Sequence, residues 1–106
     1  NLKNVVIKKK INLSILEKTD LFINCSPLGS SLKKSLLKKS PLTEEQVQYL
    51  NKKSLVFDIV YNPKNTVLGK YCKKNKVKFI NGIKMNTVQA EIALIKIHKT
   101  YRKLQN

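Results

Sequence analysis

Three short stretches of the chain carry side chains suited to holding a ligand. In Asn24-Cys25-Ser26-Pro27-Leu28-Gly29 an amide and a hydroxyl stand beside a glycine that lets backbone come close. Tyr61, at the start of Tyr61-Asn62-Pro63, offers a phenol that could donate to a carboxylate. Asn81-Gly82-Ile83-Lys84-Met85 adds a second glycine and an apolar side chain that could lie against a flat ring. Gln89 stands one helical turn further on, on the same face as Met85. This is the chemistry of binding and orientation, not of bond breaking. Each residue also has a plain structural reading. Ser-Pro-Leu-Gly is ordinary turn composition, Tyr61 suits a half-buried aromatic, Met85 suits core filler and Asp58 suits a turn cap. His98, late in a helix between Lys96 and Lys99, suits a solvated position facing the helix dipole.

Several chemistries are missing. The glycines, Gly29, Gly69 and Gly82, form neither G-x-G-x-x-G nor G-x-x-x-x-G-K, so no pyrophosphate cradle is expected. No catalytic Ser-His-Asp or Cys-His set is apparent. Cys25, Cys72 and His98 lack metal-ligand spacing, so the expectation is no metal and two reduced, mostly buried thiols.

These stretches need a scaffold that brings them together. Val5-Val6-Ile7, Leu21–Cys25, Leu55–Val60 and Val77–Ile80 read as buried strands, the third apolar on both faces except at Asp58. Leu13–Lys18 has room for one or two helical turns, and Ser30–Ser40, rich in Ser and Lys, reads as a mobile excursion. Thr43 and Gln46 have capping-box spacing, with Leu42 and Val47 as the hydrophobic staple. Val67, Leu68, Tyr71 and Cys72 mark a helix face, and Asn75 suits the left-handed residue that ends it. A long helix follows from about Met85 to Tyr101. One of its stripes is Met85, Val88, Ile92 and Ile95, and another is Ala90, Leu94, Ile97 and Tyr101. Strands alternating with helices predict an α/β fold with a mostly parallel four-stranded sheet and flanking helices. Ligands would then collect outside the strands' carboxyl ends, where the three stretches fall.

A net charge of +16 would by itself suggest nucleic acid or an acidic surface. All but one of the 22 basic side chains are lysine, however, and they are scattered from Lys3 to Lys103. Readers of phosphate and base edges lean on arginine, so a solvated lysine surface is expected here and a nucleic-acid footprint is not. No signal-peptide stretch or membrane-length apolar run is present, and a cytoplasmic protein is expected.

Taken in order, the segments resemble the shikimate dehydrogenase family. Its Asp, apolar pair and Ile-Asn-x-Thr-Pro-x-Gly-Met resemble residues 20–30. Its Asp-x-Val-Tyr-Asn-Pro-x-x-Thr-x-Leu resembles residues 58–68, and its Gly-x-x-Met-x-x-x-Gln is matched by Gly82, Met85 and Gln89. Ser26 stands for the usual Thr, Ser30 for Met, Asn86 for Leu and Lys84 for a common Gly.

The resemblance implies NADPH-dependent reduction of 3-dehydroshikimate to shikimate, in chorismate and aromatic amino acid biosynthesis. Ser26, Ile59, Gly82 and Met85 would approach NADP, and Tyr61 and Gln89 would contact the substrate. Residues 1–106 would be the C-terminal half of a Rossmann-like NADP-binding domain, with a closing helix over about 85–103. The family's catalytic Lys and Asp lie in an amino-terminal domain, which would be this segment's partner, and the glycine-rich loop precedes the first strand. The segment alone is therefore expected to be inactive. Competing readings are a quinate/shikimate dehydrogenase paralogue using NAD, a basic nucleic-acid-binding domain, and a remnant without function.

Overall fold

The computed structural model describes residues 4–105; positions 1–3 and 106 of the expected 1–106 domain lie outside the described residues. The elements are α1 (Leu13–Glu17), β1 (Leu21–Asn24), α2 (Lys34–Leu37), α3 (Glu44–Tyr49), β2 (Leu55–Asp58), α4 (Val67–Lys74), β3 (Lys78–Ile80) and α5 (Ile83–Gln105). The three strands form one parallel sheet in the order β1-β2-β3. The α/β alternation is as expected, but among the described residues the sheet has three strands where four were expected. Val5, Val6 and Ile7 are 56%, 75% and 94% exposed and pair with no strand among the described residues. Their β-branched composition favours extended backbone, but a strand exists only where a neighbour supplies the ladder.

The parallel register sets Asn24 beside Asp58 and Val56 beside Phe79. On that face of the sheet Asn24, Val56 and Asp58 are buried. The core comprises Leu16, Leu42, Val47, Leu50, Val56, Leu68, Cys72 and Val77, with Leu13, Phe22, Tyr71 and Phe79 packed around it. On the opposite face Leu21, Ile23 and Ile80 remain about half exposed, whereas Leu55 and Phe57 are only partly covered.

Local chemistry accounts for the element ends. The Gln46 amide donates to Thr43 Oγ1 at 3.1 Å, and the Thr43 amide donates back to Gln46 Oε1 at 2.9 Å, closing the expected capping box of α3. Leu42 and Val47 beside it are fully buried. At the end of α4 the left-handed residue is Lys76 (φ 57°), one position later than expected, while Asn75 donates its side-chain amide to the Tyr71 carbonyl at 2.8 Å. The Val77 amide reaches the Cys72 carbonyl and the Lys76 amide the Lys73 carbonyl, so the pattern of bonds at this helix end selects Lys76. Residues 30–40 are not a featureless excursion: they hold the single turn α2, whose Leu36 carbonyl accepts from the Gly29 amide at 2.9 Å.

α5 is longer than expected, and none of its residues is buried. Both apolar stripes are open, with Val88, Ile92 and Ile95 44–56% exposed and Leu94, Ile97 and Tyr101 58–65% exposed. No helix among the described residues is long and apolar enough to cross a membrane.

Candidate functional site

Strand β1 runs into the loop beginning Cys25-Ser26, and β2 into the one beginning Ile59-Val60-Tyr61. Being parallel neighbours, the two strands deliver both loops to the same edge of the sheet. Between the loops lies a cleft of about 360 Å³, lined by Cys25, Ser26, Pro27, Ser30, Ser31, Leu32, Ile59, Val60, Tyr61 and Asn62. Its walls are joined where the Ser31 amide and hydroxyl both donate to the Asn62 carbonyl, at 3.0 and 3.2 Å.

Buried polar side chains stand beneath the cleft. Asn24 Nδ2 donates to Asp58 Oδ1 at 3.0 Å, the Val60 amide donates to the same oxygen at 3.1 Å, and Thr66 Oγ1 donates to Asp58 Oδ2 at 2.9 Å. Asn24, Asp58 and Thr66 are each no more than 2% exposed, and such burial is tolerable because every charge-bearing oxygen has a donor. Thr66 is also the N-cap of α4, accepting from the Gly69 amide at 3.1 Å. Asp58 therefore does cap its own turn, as its composition allowed, but it also spans from β1 to the start of α4.

The network fixes the character of Ser26. Its hydroxyl donates to Asn24 Oδ1 at 2.6 Å, and its amide donates to the same oxygen at 3.1 Å. Its proton is committed inward and the Leu28 amide donates to the same oxygen at 3.4 Å, so the Ser26 oxygen meets anything in the cleft with its remaining acceptor position. Gly29 ends this loop at φ 92°, in the region that favours glycine.

Of the residues singled out in the sequence, Ser26, Ile59 and Tyr61 line one cleft, and Tyr61 is 52% exposed. Gly82 lies behind it: its amide donates to the Val60 carbonyl at 3.2 Å, and a Cβ there would stand 2.0 Å from the Ile59 carbonyl oxygen. Its lack of a side chain is thus required by the Ile59 backbone. Met85 is half-buried and Gln89 exposed on the first turns of α5, and neither lines the cleft. His98 and Lys84 are exposed. The expectation of two buried thiols is half corrected, because Cys25 is exposed at the cleft and only Cys72 is buried. Burial, followed by the Asp58 carboxylate, pushes the Cys72 thiol up to about 11. Missed by sequence reasoning were the lining residues Ser31, Leu32 and Asn62 and the joint role of Asn24, Asp58 and Thr66. The available signal was that Asn24 and Asp58 are polar residues inside otherwise apolar strand runs; the structure ends β1 and β2 at these two residues.

No protein-family model matches the chain. A shikimate dehydrogenase (NADP(+)) of Prochlorococcus marinus is 32% identical over 81 residues, 76% of this chain and 28% of that protein. One from Caldanaerobacter subterraneus is 38% identical over 74 residues, 70% of this chain and 24% of that protein. Among solved structures, a shikimate dehydrogenase in complex with NADP+ is similar with a TM-score of 0.52 and 33% identity, over 66% of this chain and 23% of that one. Over this segment the chain is a homologue of the shikimate dehydrogenases. Its fold is accordingly Rossmann-like α/β. The chain spans about a quarter of the length of the shikimate dehydrogenases it matches.

Proposed function

We propose that this segment is the C-terminal part of the NADP-binding domain of a cytoplasmic enzyme that reduces 3-dehydroshikimate to shikimate with NADPH. The observation that carries the reading is the meeting of Ser26, Ile59 and Tyr61 in one cleft at the strands' carboxyl ends, where doubly wound folds take ligands.

The cleft's size and chemistry fit the nicotinamide end of a dinucleotide. A volume of about 360 Å³ is at the small end for ligand sites, suited to a ring and its sugar but not to a whole dinucleotide. Ser26 would accept a hydrogen bond from this end, Ile59 would supply apolar contact, and Gly82 would hold Ile59 in place. Met85, half-buried at the start of α5, would close the same edge. The cofactor supplies hydride chemistry when bound; the residues here orient and exclude water. Tyr61 and Gln89, both exposed, would hold the cyclic acid. Side chains that act on the substrate's protons would come from an amino-terminal domain, so the segment alone would be inactive. The open stripes of α5 and the half-exposed Leu21, Ile23 and Ile80 are surfaces that such a domain and the remaining sheet would cover.

The reading can be assayed by joining the segment behind the amino-terminal region of a working shikimate dehydrogenase. Tyr61→Phe or Gln89→Ala in the joined protein should raise the KM for shikimate about tenfold or more while the KM for the dinucleotide stays within about threefold. A shikimate KM unchanged in both variants would refute their assignment.

A further inference from the structure

We infer that Asp58 is a positioning residue that ties the two walls of the cleft to one carboxylate and thereby sets how Ser26 meets a ligand. Its three hydrogen-bond partners lie on three separate parts of the chain. Asn24 Nδ2 comes from the end of β1, the Val60 amide from the second wall, and Thr66 Oγ1 from the cap of α4. A carboxylate facing those three donors acts as an acceptor only. Asn24 must therefore turn its amide nitrogen towards Asp58, which leaves Asn24 Oδ1 for the Ser26 amide and hydroxyl. The Asn24 nitrogen also reaches the Leu28 carbonyl at 3.3 Å, so the same side chain holds the loop on both sides of Pro27. Polarity thus passes in one direction, from Asp58 through Asn24 to Ser26. On the other branch Thr66, its proton given to Asp58, accepts from the Gly69 amide and starts α4.

Asp58 does not line the cleft and has no exposed surface, so it acts on a ligand only through the residues it orients. An asparagine at this position would fill the same space, but its amide can present a donor where the carboxylate presents an acceptor. Asn24 could then turn over, and the Ser26 hydroxyl would be released.

The kinetic part of the test rests on the dehydrogenase reading, and the exchange part does not. Asp58→Asn, Asn24→Ala and Thr66→Val are placed separately in the joined protein. Amide hydrogen exchange is read without ligand, and kcat and KM are measured for shikimate and dinucleotide. Asp58→Asn should speed exchange at Ser26, Leu28, Val60 and Gly69 together, Asn24→Ala at Ser26 and Leu28 alone, and Thr66→Val at Gly69 alone. Asp58→Asn should also raise the dinucleotide KM roughly tenfold, a change that a smaller folded fraction does not produce, since that lowers apparent kcat alone. Faster exchange confined to Val60 and Gly69 in Asp58→Asn would overturn the inference, as would an unchanged dinucleotide KM. If the joined protein without substitutions shows no shikimate-dependent turnover, the dehydrogenase reading falls. The exchange pattern then decides the role of Asp58 by itself. Should Asp58→Asn fail to fold, the separable effects of Asn24→Ala and Thr66→Val still report whether the two branches meet at Asp58. Exchange that spreads across both walls in either variant would overturn the two-branch arrangement.

Discussion

Substituting Gly82 with alanine places a methyl group 2.0 Å from the Ile59 carbonyl oxygen and 2.7 Å from its carbon. Ordinary carbon–oxygen contacts begin near about 3.3 Å, so the two segments must part by about 1.3 Å. Both are backbone, and no rotamer change can absorb the shift. Forced overpacking costs about 1–3 kcal/mol. Parting these two segments also stretches the hydrogen bond from the Gly82 amide to the Val60 carbonyl, which adds about 1 kcal/mol. Gly82→Ala should therefore destabilise the chain by about 2–4 kcal/mol, measured from the urea midpoint at unchanged slope by far-ultraviolet circular dichroism. Gly69→Ala is the internal control. Its methyl would press on the Phe79 ring edge at 2.9 and 3.1 Å, which the ring can relieve by a small shift, and would stand in ordinary contact with Thr66 Oγ1 at 3.4 Å; a helix favours alanine over glycine by up to about 1 kcal/mol, so the net change should stay within about 1 kcal/mol. A Gly82→Ala chain as stable as the native one would refute the contact between Ile59 and the start of α5, and with it the account of what holds Ile59 at the cleft.

Lys76 pays for its left-handed backbone without glycine's freedom, so Lys76→Gly should stabilise the chain by about 0.5–1 kcal/mol in the same urea titration. Because the folded Cys72 thiol holds its proton to about 11 against 9.0 in the reference state, the unfolded chain loses a proton first as pH rises. Its contribution is intact below pH 9 and falls between pH 9 and 11 by up to about 1.4 kcal/mol per pH unit. Cys72→Val should lack that part of the slope while keeping whatever the lysines contribute, which urea midpoints across the window would measure. A thiol reagent at neutral pH should label Cys25 at once and Cys72 only on unfolding, read as mass added per chain.

Features whose physics is local could be read from the sequence. Thr43 and Gln46 lie three residues apart and need only each other, and the capping box forms as expected. The runs Leu21–Cys25, Leu55–Val60 and Val77–Ile80 contain the observed strands because the sequence also contains their neighbours. Val5–Ile7 has the same composition but no partner among the described residues, so composition alone overstates it. The site was legible in part for the same reason. Loops following parallel strands must gather at one edge, which brings Ser26, Ile59 and Tyr61 together. What joins Asn24 to Asp58 is strand register across 34 positions, and what joins Asp58 to Thr66 is the path of the following loop. Neither leaves a periodic trace in the chain. The stripes of α5 were readable as apolar faces, but what covers them is not a property of the helix itself.

The most direct test of the central claim is shikimate-dependent reduction of NADP by the joined protein, run beside the same assay with NAD. The account predicts turnover that requires shikimate and is faster with NADP. A soluble, cooperatively folding protein that reduces neither dinucleotide would contradict it.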